Sequence, residues 1–174
     1  MKAEEVKIYR EVQKSTQMAI KAIETISDKV YDDGLAMQIA RQSLKYSDLS
    51  GRATDQLLKA KAEPYHANRL ADMALTGSIH VRTLLDTSTS HIADLMIQGS
   101  NRGITQMCRV LNHNPGVGTK AVEFAKELMD FEEKNIYKKI SANLTFTLYN
   151  ITKLRRESWY SKVSCQKEDM YVVC

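Results

Sequence analysis

The chain has 174 residues, 43% hydrophobic and 26% charged, enough for one hydrophobic core and too little for two comfortable domains. Seven Gly and two Pro are sparse, and the charges are interspersed rather than blocked, which favours long helices over strands and tight turns. Of the formal charge of +4, the last 22 residues carry +2, from five Lys/Arg against three acids. The near-neutral remainder offers no extended basic face of the kind that binds nucleic acid through counterion release.

The opening residues, MKAEEVKIYREV, are charged and amphipathic, without the apolar run of a signal peptide. No apolar segment approaches the roughly 20 residues that cross a bilayer, so no membrane span is expected. Cys108, Cys165 and Cys174 form no Cys-x-x-Cys pair and are odd in number. They argue against a disulfide framework and point to a reducing cytoplasm, where the sequons at Asn143 and Asn150 carry no meaning.

From Glu4 to about Val30, the apolar residues Ile8, Val12, Ala19, Ile23, Ile26 and Val30 recur at helical spacing and predict a first helix. Asp32-Asp33-Gly34 signals a turn, and Leu35, Ile39, Leu49, Ala53, Leu57 and Ala60 restart the pattern. This second helix is expected to end near Ala62, because Pro64 disfavours helical backbone in the residue before it. Pro64 itself suits the first turn of a third helix.

The third stripe runs Leu70, Ala74, Gly77, Val81, Leu84, Ser88, Ile92 and Leu95, and the seam continues through Met96, Gly99, Gly103, Met107 and Val110. Asn112-His113-Asn114-Pro115-Gly116 interrupts the chain. With Thr119 as N-cap, residues Ala121, Phe124, Ala125, Leu128, Phe131 and Ile136 then predict a fourth helix. The expected fold is all-α, an antiparallel four-helix bundle over residues 1–140. Residues 141–174 form a C-terminal extension with no sustained helical stripe, part-helical or disordered.

Gly99 and Gly103 fall on the predicted seam, where small residues four apart let another backbone approach closely. An unbroken helix from His66 to Leu111 would be roughly 69 Å long, against about 40 Å for the first two. A bend or break near Gly99–Gly103 is therefore expected. The Rossmann and Walker glycine fingerprints are absent, and Pro-Gly-Val-Gly-Thr-Lys at residues 115–120 lacks the Gly-Lys-Ser/Thr ending of a phosphate loop.

A four-helix bundle raises the ferritin-like di-metal site, which needs Glu-x-x-His on two helices and a Glu from each of the others. Only Glu63-Pro-Tyr-His66 matches, and it straddles a helix start. A reduced variant uses His91, Asp94 and Glu132 to hold iron, manganese or zinc; otherwise His91 is a hydrogen-bonded, partly buried histidine. Gln13, Thr16, Gln42, Tyr46, Ser88 and His91 lie on or beside the seams, where polar groups specify register or line a pocket. No nucleophile–base set can be assembled; Cys108 lies five residues before His113, which is no nucleophile signature.

At TSTSHIADLMIQGSNRGITQM and NPGVGTKAVEFAKELMDFEEKNI the chain resembles a family of small bacterial helical proteins of unknown function, over about residues 3–138. The resemblance implies an outline similar to ferritin-like bundles, no active site, and a chain that ends soon after DFEEKNI, so the tail departs from it. The expected function is a non-catalytic, cytoplasmic helical bundle acting through protein association, as a homo-oligomer or with another protein, without cofactor, nucleic acid or membrane. The alternative is a ferritin-like metal-binding or metal-oxidising bundle.

Overall fold

The computed structural model describes residues 1–84 and 86–143, with side chains through residue 137. Two compact units divide the chain, Met1–Lys139 and Ile140–Cys174, and the features below belong to the first. Apart from the last turn of a helix that ends at Asn143, the extension expected over 141–174, with Cys165 and Cys174, lies outside the described residues.

Among the described residues there are five α-helices and no strand: α1 (Ala3–Ser27), α2 (Asp33–Lys59), α3 (Arg69–Thr83), α4 (Thr89–Asn112) and α5 (Thr119–Asn143). The all-α expectation holds. Local chemistry sets the helix starts. The Lys2 amide donates to Glu5 at 2.8 Å in a capping box, while Asp32 accepts from the Leu35 amide at 2.7 Å and Asn68 from Leu70 at 2.9 Å. For α5 the Gly118 carbonyl accepts from Ala121 at 3.0 Å, so Thr119 is the first helical residue rather than the cap.

Three expectations change. Pro64 sits in the connector after α2, not in the first turn of the next helix, because Asn68 provides the cap four residues later. The expected third helix is two helices, and its break falls between Thr83 and Thr89 instead of at Gly99–Gly103. There, Asp86 accepts from the Ser88 amide at 2.8 Å and Ser88 accepts from the His91 amide at 3.3 Å; side chains that bond the local backbone this way compete with helix continuation. Gly99 and Gly103 lie inside an unbroken α4. At 24 residues α4 is about 36 Å long, a match for α1 and α2 that removes the length problem.

Third, the stripe Leu70–Val81–Leu84 is not a seam. α3 packs on α1 through the opposite side, with Ile79 and Thr83 buried and Leu75 against the core. Leu70, Met73, Val81 and Leu84 are each more than 70% exposed.

The core is drawn mainly from α1, α2, α4 and α5, with Ile79 from α3: Ile8 and Val12, Leu49 and Leu57, Ile92 and Met107, Leu128 are all at most 2% exposed. Each such burial contributes about 1.5–3 kcal/mol of transfer free energy. Gln13 of α1 donates to Thr54 of α2 at 2.8 Å, and Tyr9 of α1 packs on Phe124 of α5 with ring centroids 5.5 Å apart. Tyr46 meets Glu132 while Arg52 meets Glu127, so α2 and α5 run in opposite directions.

Candidate functional site

The features most unlike an apolar core lie where α2, α4 and α5 meet. Gln42 and Tyr46 are four residues apart on α2, so they share a face; Glu132 and Asn135, three apart, share one on α5. Ser100 of α4 completes the group. All five are at least nine-tenths buried.

The Tyr46 hydroxyl donates to Glu132 Oε2 at 2.7 Å, with the side chains of Ser100 and Asn135 beside it. The Tyr46 ring stands edge-on to Phe131 at 5.2 Å between centroids. Burial, the neighbouring Glu132 charge and the bond to it push the Tyr46 phenol well above its ordinary value near 10. Such a phenol keeps its proton and acts as a donor, not as a base or nucleophile. The Glu132 carboxylate lies beside Gly103 of α4, where an added Cβ would sit 3.5 Å from Oε1. A Cβ there would be in ordinary van der Waals contact with the carboxylate.

Among the described residues, both amide atoms of Gln42 lack a hydrogen-bond partner, as do Asn135 Nδ2 and Gln38 Nε2. Buried groups in that condition are the usual seats of ordered water. The arrangement holds one acid, one high-pKa phenol and several amides, with no nucleophile. Cys108, on the outer side of the same interface, is half-buried 3.7 Å from Met129 Sδ, and burial pushes its thiol up, away from a reactive thiolate.

Of the residues expected to hold a metal, only Glu132 belongs to this centre. His91 Nε2 lies 3.1 Å from the Arg82 carbonyl, and its Nδ1 lies 3.9 Å from Asp86. Asp94 is exposed and accepts from Gln98 at 2.6 Å. The separation has a simple cause: Glu132 faces the Ser100–Gly103 turn, and His91 lies nine residues earlier on α4, about 14 Å along the axis. Among the described residues no three His, Cys, Asp or Glu side chains form a group that could hold a metal ion.

The glycine pair divides as well. Gly103 abuts Glu132, whereas Gly99 is exposed, and a Cβ there would meet nothing within 4 Å. Ser100, one residue on, takes the buried position. Gln13, Thr16, Gln42 and Tyr46 are buried as the seam reading requires; Ser88 is exposed and His91 half-buried. Ser100 and Asn135 were missed, although their four- and three-residue offsets from Met96 and Glu132 are the signal that marks them.

Fold and centre together define an all-α protein whose middle is a hydrogen-bonded polar group sealed by apolar layers. No protein-family model matches the chain, and no curated protein or solved structure does either.

Proposed function

We propose that the chain is a non-catalytic, cytoplasmic helical-bundle protein that acts through protein association, and that α3 joins it to a second copy of itself. In this reading α1, α2, α4 and α5 make an antiparallel four-helix bundle, ferritin-like in outline, and α3 lies outside it as the contact element. The observation that carries the reading is the outward apolar face of α3.

Leu70, Met73, Gly77, Val81 and Leu84 fall within a sector about 80° wide at 3.6 residues per turn, opposite the side that packs on α1. Their spacings are three, four, four and three, symmetric about Gly77. A two-fold contact needs one surface to complement itself, and this pattern does so when two α3 helices cross antiparallel. Leu70 then meets Leu84 of the second copy, and Met73 meets its Val81. The two Gly77 backbones cross with no side chain between them; a Cβ on Gly77 would meet nothing within 4 Å in the single chain.

At about 25 cal/mol per Å2, a fully buried aliphatic side chain corresponds to about 100 Å2 of apolar surface, so the four side chains of this face bury about 400 Å2 per copy. Two copies reach about 800 Å2, below the roughly 1,000 Å2 of a stable specific interface and in the range of a weak, reversible dimer. The metal-binding alternative keeps Glu132 but loses His91 and Asp94 as partners, so it has no support beyond a buried oxygen-rich centre.

Sedimentation equilibrium over the micromolar range tests the reading. The native chain is expected to dimerise reversibly, and Leu70→Lys with Val81→Lys to sediment as one chain with unchanged helical circular dichroism. A single-chain mass at every concentration, or a dimer unaffected by the two lysines, would overturn it.

A further inference from the structure

α1 and α4 frame an open cleft of about 450 Å3 whose nine lining residues include four Lys and Arg. From α1 come Lys7, Arg10 and Lys14, spaced three and four apart and therefore on one face; from the end of α4 come Arg109 and His113. Against four Lys and Arg charges the lining has one acid, Glu11, which Lys14 offsets at 3.7 Å. Lys7 has no ion pair among the described residues, and the Arg109 guanidinium reaches only the neutral Gln106, at 3.1 Å. Cations gathered on a concave wall raise the local concentration of anions.

The cleft is not only basic. Arg10 donates to the Glu63 carbonyl at 3.1 and 2.8 Å, and the Tyr65 amide donates to Gln13 Oε1 at 2.6 Å. Those bonds pin the connector after α2 against α1 and hold Tyr65 in the cleft lining, with Val110 of α4 also in the wall. The negative end of the α4 dipole would oppose an anion, but its last carbonyls are occupied. His113 Nδ1 donates to the Arg109 carbonyl at 2.7 Å and Asn114 Nδ2 to that of Val110 at 2.7 Å.

We propose that this cleft binds a small organic phosphate with a flat aromatic part, such as a nucleoside diphosphate, in a role independent of α3. Arg109 and Lys7 supply a bidentate fork and a point charge, the two modes by which side chains recognise phosphoryl oxygens. Tyr65 and Val110 offer the flat, apolar surface for the ring. The volume falls in the range of small-molecule sites, and the cations are confined to one concavity rather than spread along a face, which favours a small ligand over a nucleic-acid duplex.

Isothermal titration of the full chain at physiological ionic strength, with ADP, inorganic pyrophosphate and adenosine as probes, tests this. ADP is expected to saturate one site and to bind about tenfold more tightly than pyrophosphate, with adenosine weaker than both. Lys7→Gln and Arg109→Gln, both at exposed positions, are each expected to weaken ADP about tenfold, the cost of one charge-assisted hydrogen bond. Tyr65→Leu should erase the advantage of ADP over pyrophosphate while leaving pyrophosphate unchanged. The proposal is overturned by the absence of saturable binding, by ADP affinity that survives the Lys7→Gln/Arg109→Gln double substitution, or by equal affinities for ADP and pyrophosphate in the native chain.

Discussion

Tyr46 on α2 and Glu132 on α5 share a 2.7 Å hydrogen bond inside the protein, each less than 5% exposed. The bond ties together two helices that are 86 residues apart in sequence. Removing the hydroxyl takes a donor from a buried carboxylate, so Tyr46→Phe is expected to destabilise by about 1.5–3 kcal/mol. Urea unfolding at neutral pH measures it.

The same phenol makes a pH prediction. Its folded-state pKa lies above the ordinary value near 10, so its contribution is fully present below pH 10 and is lost as pH rises toward the folded-state value. The stability difference between the native chain and Tyr46→Phe is therefore expected to shrink above pH 10 by about 1.4 kcal/mol per pH unit. A difference that stays constant from pH 9 to 11 would show that burial does not hold the proton.

Glu127 on α5 faces Arg52 and Lys45 of α2, at 2.7 and 2.9 Å. The Arg52 hydrogen bonds are the main reason its carboxyl falls from 4.5 to about 2. A depressed carboxylate stabilises above its unfolded value, and that stability is lost as pH falls from 4.5 toward 2. The side chain is 35% exposed, so solvent and salt screen the pair and its contribution is about 1 kcal/mol or less. Glu127→Gln should cost that amount at neutral pH and nothing near pH 2. Unfolding midpoints at the two pH values, repeated in high salt, read it directly.

Helix content was legible in the sequence because the apolar period is strong: Ile8, Val12, Leu49, Leu57, Phe124 and Leu128 were expected inside and are inside. Two features were hidden for physical reasons. A stripe shows that a helix has an apolar face but not that anything covers it, so Leu70, Val81 and Leu84 read as core although α3 turns them outward. Over a long helix, a pattern counted in threes and fours also drifts against 3.6 residues per turn, which misplaced the α4 seam on Gly99 instead of Ser100. The basic cleft was illegible for another reason: its α1 and α4 cations are about a hundred residues apart, and net charge averages them away.

That one-residue difference can be measured. Gly99 is exposed in mid-helix with open space at its Cβ, so Gly99→Ala should stabilise by about 0.5–1 kcal/mol through helix propensity alone. At Gly103 the same methyl would meet Glu132 Oε1 at 3.5 Å, an ordinary van der Waals contact. Gly103→Ala is expected to gain less than Gly99→Ala, because its methyl lies against a buried carboxylate instead of open space. Thermal midpoints of the two variants measure it, and a larger gain at Gly103 would contradict it.

Lys61 has φ of 54°, the only positive φ among the described residues. It closes α2: the Ala62 amide reaches back to the Leu57 carbonyl at 2.9 Å, and the chain turns so that Glu63 and Tyr65 meet Arg10 and Gln13. A residue with a Cβ pays about 1–2 kcal/mol in the left-handed region, whereas glycine there loses only its extra unfolded freedom, about 0.5–1 kcal/mol. Lys61→Gly is thus expected to stabilise by about 0.5–1 kcal/mol, a rise of about 2 °C for a chain of this size. Lys61→Ala keeps the Cβ and removes the same charge, so it should leave the midpoint where it is. If alanine raised the midpoint as far as glycine, relief of charge rather than backbone geometry would be the cause, and the turn that positions Tyr65 would not depend on this conformation.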